Sequence, residues 1–226
     1  KLFYSNKDYL KQFCSSKGDW HYSSFQDFFT RHLRKKPTSK EDHIWMCEGL
    51  LCQKSQFKDL KEVSIKGEKK DIKIVFGDKN IKIPNSYFYS NIFLNNTNYH
   101  RIHSPLTGRI MWIKHISGIL AILRPWLNWE SPSYPALRNE RVSMKILDSK
   151  TGKPWYLSIV GGPGVGTILL PKQIVKGRTV LLGEEIATFY LGSTCCLASP
   201  KEPKAIEGRF VRAGMPLTSK GSNKLF

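Results

Sequence analysis

The feature that most constrains this chain is a change of rhythm at Ile44. From there on, short β-prone runs follow one another, at residues 44–52, 63–66, 71–76, 109–113, 119–123, 141–146, 155–160, 167–170 and 185–189. Gly or Pro punctuates most of the gaps, which is how strands joined by turns read in a sequence. Spacings of roughly 8–15 residues suit an antiparallel barrel or sandwich. Residues 1–36 read differently. Tyr9, Leu10 and Phe13 repeat at helical spacing, and Phe25, Phe28, Phe29 and Leu33 do so more strongly. Ser24 is placed to cap that second helix, and Arg34-Lys35-Lys36-Pro37 reads as its basic last turn and stop. The expected fold is therefore α+β and mainly β. N-terminal helices over 1–40 pack on an antiparallel barrel- or sandwich-like core over 41–226. Segment 126–139, with Pro132 and Pro135, reads as a long loop, and 217–226 as a frayed basic tail.

The chain is long enough for one domain with a real core, since 40% of its 226 residues are hydrophobic. Its charge is +18, with 36 Lys and Arg against 18 Asp and Glu. Such a charge points to a partner, whether nucleic acid, an anionic membrane or an acidic protein, and says nothing of fold. Cys14, Cys47, Cys52, Cys195 and Cys196 are odd in number and two are adjacent, a poor disulfide framework that suits a reducing compartment. Their spacing suits no zinc site either, and no metal is expected. The longest apolar stretch, near 116–127, is broken by Ser117, Gly118, Arg124 and Pro125, so no membrane-spanning helix is expected. A start at Lys1 rather than Met leaves room for an upstream leader or anchor.

Chemistry concentrates at Leu191-Gly192-Ser193-Thr194. Alone, this is a strand ending in a tight turn. It also admits a reaction, because a serine hydroxyl can attack the carbonyl of the peptide bond before it, and Gly192, lacking Cβ, lets the backbone take the geometry required. The product is an ester. β-Elimination then cuts the chain and leaves dehydroalanine, which hydrolyses to a pyruvoyl group. Such an attack needs a base and an oxyanion donor. Tyr99-His100-Arg101-Ile102-His103-Ser104-Pro105 offers two histidines. On a strand, His100 and His103 point to opposite faces, and Pro105 and Gly108 permit a bend.

Taken in order, these segments resemble the phosphatidylserine decarboxylase family. Phe28-Phe29-Thr30-Arg31-His32-Leu33 resembles its Phe-Phe-x-Arg-x-Leu helix. Tyr99 to Pro105 resembles Tyr-His-Arg-x-His-x-Pro, and Asn139-Glu140-Arg141-Val142 resembles Asn-Glu-Arg-Val. Residues 160–168 resemble a Val-Gly-Ala-x-x-Val-Gly-Ser-Ile strand, while Gly183-Glu184-Glu185 and Leu191-Gly192-Ser193-Thr194 resemble the approach to the family's self-cleavage site. The resemblance covers roughly residues 23–216. It implies Ser193 as the nucleophile of self-cleavage and the source of a covalent pyruvoyl cofactor. Gly192 becomes the end of a large chain, 1–192, and 193–226 becomes the small chain. His103 is implied as the base and His100 as the group that later returns a proton to the substrate carbon. Glu48 stands where the family has an Asp that orients the histidine, with Trp45-Met46 replacing the usual Ser-Pro. Thr107 replaces another frequent Asp, and Pro163 interrupts the glycine-rich strand, departures that suggest slow self-processing.

The resemblance implies decarboxylation of phosphatidylserine to phosphatidylethanolamine, the pyruvoyl group serving as the electron sink. The implied partners are the two chains of one precursor and anionic phospholipid at a membrane surface, which the basic charge favours. Phe3, Tyr4, Tyr9, Phe13, Trp20, Trp126 and Trp129 are candidates to dip into that interface. No motif favours nucleic acid. A homodimer is left open. The expected location is peripheral, on the cytoplasmic face of a bacterial inner membrane, with the mitochondrial inner membrane as the alternative. Two other functions compete: a soluble pyruvoyl-dependent amino-acid decarboxylase, and a processing-deficient relative that only binds.

Overall fold

The computed structural model describes residues 7–65, 67–77, 80–119, 131–162, 167–190 and 193–222. In chain order the elements are α1 (Lys7–Leu10), β1 (Phe13–Cys14), α2 (Phe25–Phe29), β2 (His32–Leu33), β3 (Gly49–Gln56), β4 (Val63–Ile65), β5 (Glu68–Lys70), β6 (Phe88–Leu94), β7 (Arg101–His103) and β8 (Gly108–Ile116). They continue with α3 (Tyr134–Arg138), β9 (Arg141–Asp148), β10 (Pro154–Gly161), β11 (Ile168–Leu169), β12 (Thr179–Val180), β13 (Glu185–Phe189), β14 (Ser193–Ser199) and β15 (Phe210–Val211). The fold is mainly β, as the punctuated runs predict. Eight strands form one antiparallel sheet in the order β12-β8-β9-β10-β14-β6-β3-β15, which stays open rather than closing into a barrel. A second sheet, β11-β13-β7, packs over one face of it.

Alternation along the central strands builds two cores. Side chains of a strand point to opposite faces in turn. Trp155, Leu157 and Ile159 of β10 and Cys195 and Leu197 of β14 therefore face the small sheet, meeting Ile102, Ile168, Ile186 and Phe189. Tyr156 and Val160, with Cys196 and Ala198, face the other way, under the segment from Phe57 to Tyr87. β14 is buried along its whole length.

Several expectations are corrected. The N-terminal helix ends at Phe29, not at Lys36, because residues 32–33 pair with β1, Phe13 opposite Leu33. Its start is as expected, with Asp27 N–H donating to Ser24 Oγ at 3.0 Å. Residues 71–76 form a 3-10 turn rather than a strand. Their carbonyls serve side chains of the large sheet instead of a neighbouring strand: Val75 O accepts from Arg141 Nε, Ser143 Oγ and Ser158 Oγ at 3.0, 3.1 and 2.9 Å. Within the expected loop, residues 134–138 form α3, while 126–130 lie outside the described residues. The tail is held as far as Ser222, since Leu217 is fully buried and Phe210 and Ser222 exchange backbone hydrogen bonds. Among the described residues no helix is long and apolar enough to cross a membrane.

Candidate active site

The site forms where the chain passes from the small sheet to the large one. β13 ends at Phe189 and β14 begins at Ser193; Leu191 and Gly192 lie outside the described residues. Ser193 stands between Gly161 on β10 and Leu94 on β6. Period-two alternation from Cys195 and Leu197 aims its side chain into the layer between the sheets. Ser193 is fully buried, and its Oγ has no hydrogen-bond partner. Burial pushes the adjoining Cys195 and Cys196 thiols up, the latter to about 12, so neither is a thiolate beside Ser193 at neutral pH. All five cysteines are free.

His100 reaches the same layer. Its ring stacks on Phe29 of α2, with centroids 3.6 Å apart, and meets Phe189 edge-on. Its carbonyl accepts from Phe189 N–H, so the ring sits close to the turn that leads into Ser193. Nδ1 donates to Asn98 O at 2.8 Å, which leaves the lone pair on Nε2, and that atom is buried without a partner. Burial holds the ring neutral, with a pKa lowered to about 3.

His103 closes β7, whereas His100 precedes that strand. Its ring stacks with Tyr99, whose hydroxyl bonds Nε2 at 2.9 Å, while Nδ1 donates to Gly183 O at 2.9 Å. Burial lowers its pKa to about 4. Burial also raises the Tyr99 phenol above its usual value, so Tyr99 is the donor in this pair. Both His103 nitrogens thus have partners, and Ser193 is not one of them.

Glu48 is buried, but it does not contact His103. Its Oε1 accepts from the Tyr9 hydroxyl, from Asn98 Nδ2 at 3.3 Å and from Tyr99 N–H at 3.2 Å. The carboxylate therefore clamps the turn ahead of β7, the turn whose Asn98 carbonyl fixes the His100 tautomer. It reaches both histidines indirectly, His100 through Asn98 and His103 through Tyr99.

Several residues that the sequence did not single out hold this arrangement. Arg31 lies across the rings of Phe13 and Phe28 and donates to Thr97 O at 2.9 Å. Arg101 ties β7 to α2 and β13 through Thr30 O and Glu185 Oε1 at 2.8 and 2.5 Å. Thr167 is buried, and its Oγ1 has no partner. Among the described residues no three His, Cys, Asp or Glu side chains group as metal ligands.

Comparison with known proteins assigns the chain to a family. The family described as phosphatidylserine decarboxylase matches residues 25–219. Similar proteins include the phosphatidylserine decarboxylase proenzyme of Psychrobacter arcticus, 28% identical over 81% of this chain and 71% of that protein. The proenzyme of a Polaromonas species is 31% identical over 85% and 77%, and that of Bacillus mycoides 28% identical over 99% and 85%. This chain belongs to the phosphatidylserine decarboxylase family.

Proposed function

We propose that this chain decarboxylates phosphatidylserine to phosphatidylethanolamine, using a pyruvoyl group that it makes by cutting itself between Gly192 and Ser193. The observation that carries this reading is the Ser193 hydroxyl, buried and unpartnered at the head of a central strand. A buried polar atom with no partner costs about 1–3 kcal/mol. The same atom fits a residue due for conversion, because no structural hydrogen bond is lost when its oxygen leaves.

In this reading Ser193 Oγ adds to the carbonyl carbon of Gly192 and the amide C–N bond breaks, giving an ester. Loss of the Ser193 Cα proton expels the Gly192 carboxylate, and water then replaces the nitrogen, which departs as ammonia. The pyruvoyl group so formed supplies an electron sink for loss of CO2. His103 keeps the role of base and His100 that of returning a proton to the substrate carbon. The His103 ring is neutral at pH 7, as a proton acceptor must be. For His103 to act, Nε2 must exchange the Tyr99 hydroxyl for Ser193.

Anionic phospholipid is the proposed partner. The +18 charge supports it, as does a cavity of about 300 Å³ on the far face of the large sheet, walled by Lys82, Lys114, Lys145, Trp112 and Tyr156. Basic groups near such a surface contribute about 1 kcal/mol each.

Intact-mass analysis of purified protein tests the reading. The wild type should yield fragment 193–226 with a pyruvoyl end, and Ser193→Ala should stay whole. His103→Ala should also stay whole, while His100→Ala should cut yet fail to decarboxylate. A wild-type chain that remains whole on ageing defeats the reading. Cutting by His103→Ala but not by His100→Ala would move the base to His100.

A further inference from the structure

We propose that Thr167 is a catalytic residue of self-cleavage, its hydroxyl donating a hydrogen bond to Ser193 Oγ as that oxygen loses its proton. The proposal rests on the self-cleavage reading above and assigns a role to a residue which that reading leaves unused.

The placement follows from Gly161. Gly161 is the cross-strand partner of Ser193. Its N–H donates to Glu140 O and its carbonyl accepts from Asn139 Nδ2, each at 2.9 Å, so both of its polar groups turn away from β14. The Gly161–Ser193 pair is therefore of the non-hydrogen-bonded kind, in which opposed residues lie closest, with Cα atoms about 4.5 Å apart. Opposed residues also project to the same face of a sheet, with Cβ positions about 4.5–5.5 Å apart. Gly161 has no side chain to put there. That place is taken by Thr167, because a Cβ on Gly161 would collide with Thr167 Oγ1. The threonine hydroxyl thus occupies the position that faces the Ser193 side chain across the pair. Thr167 is held there by its own backbone, whose carbonyl accepts from the N–H of Tyr190, the residue after β13, at 2.8 Å.

Neither hydroxyl has a partner, and both are buried. The two hydroxyls therefore face the same space between the sheets, one able to donate and the other to accept. In the reaction, the Ser193 O–H bond breaks and its proton passes to a histidine nitrogen. The electron pair stays on Oγ and forms the bond to the carbonyl carbon. Thr167 keeps its own proton and directs it at Oγ while the charge develops. In a water-excluded layer such a fixed donor acts strongly, and removal of one comparable donor slows catalysis about 10²–10³-fold.

The experiment follows self-cleavage by intact mass for the wild type, Thr167→Val, Thr167→Ser and Thr167→Ala, with thermal unfolding of each uncut chain. Valine keeps the shape of threonine without the hydroxyl, and serine keeps the hydroxyl without the methyl group. The expected result is cleavage slowed about 10²-fold in Thr167→Val, near the wild-type rate in Thr167→Ser, and cooperative unfolding in both. If Thr167→Val does not fold, Thr167→Ala takes its place in the same comparison. Wild-type cleavage by the folded valine or alanine variant overturns the proposal. So does a serine variant as slow as the valine one, which would assign Thr167 to filling space over Gly161. A wild-type chain that never cuts defeats the self-cleavage reading itself, a different outcome from either.

Discussion

Ser193 Oγ, Thr167 Oγ1 and His100 Nε2 are three polar atoms in the layer between the sheets, and none has a partner. Folding proteins seldom leave such atoms bare, so a cluster of them marks a place where stability has yielded to chemistry. The histidines carry the same cost in another form. Each has a folded pKa below its ordinary 6.5, about 3 for His100 and about 4 for His103, because burial disfavours the charged ring. The unfolded chain therefore binds more protons than the folded one between those values and 6.5. Stability is full above pH 6.5 and is lost as pH falls through that window. The urea midpoint should drop between pH 7 and pH 5, and His103→Asn should drop less; equal slopes for the two proteins would show that His103 does not carry the effect. Ser193 and both histidines were legible in the sequence because the motifs around them are contiguous. Glu48 was legible as an acid meant to orient a histidine, but neither its burial nor its contacts were. The bonds to His103 come from Tyr99, four residues earlier and ahead of β7, and from Gly183, far along the chain. Thr167 was not legible as a reactive residue, because what gives its hydroxyl meaning is the missing side chain of Gly161 and the register that sets Ser193 opposite.

At the scale of elements, patterning decided what could be read. The expected run at 185–189 coincides with β13, and 141–146 and 155–160 fall inside β9 and β10, because their branched and aromatic residues mark them. β14 escaped although it lies at the centre of the sheet. Its sequence, Ser-Thr-Cys-Cys-Leu-Ala-Ser, is small and weakly apolar, and only burial on both faces makes it a strand. The N-terminal helix was overextended because the aromatic spacing continues to Leu33, whereas pairing with Phe13 draws that residue into β2. What survives of the helix has a defined task, since α2 is the element that lays Phe29 on the His100 ring. Phe29→Ala should destabilise the fold by about 3–5 kcal/mol in equilibrium urea unfolding. It should also slow self-cleavage more than Phe29→Leu, and a stability loss below about 1 kcal/mol would show that the stack is incidental.

The whole molecule is built so that cutting need not mean separation. β14 pairs with β10 through six residues and with β6 through seven. The proposed cut falls just before this strand and leaves the pairs from Thr194 to Ser199 in place, only Ser193 giving up its backbone N–H. After cleavage the two chains should co-elute as one species in size-exclusion chromatography and part only in denaturant. Separation under native conditions would show that the strand is not anchored as the register implies. Charge acts at this scale too, because a net +18 belongs to the whole surface rather than to one motif.

The position of β14 also sets a timetable for synthesis. β10 and β6, the strands it divides, both precede it in the chain, so each emerges from the ribosome with an unpaired edge that nothing made so far can cover. The sheet closes only after translation has passed Ser199. Until then the nascent chain is at its most prone to aggregate, and its need for a chaperone is greatest. Cleavage, in turn, can begin only on a chain whose synthesis has passed β14.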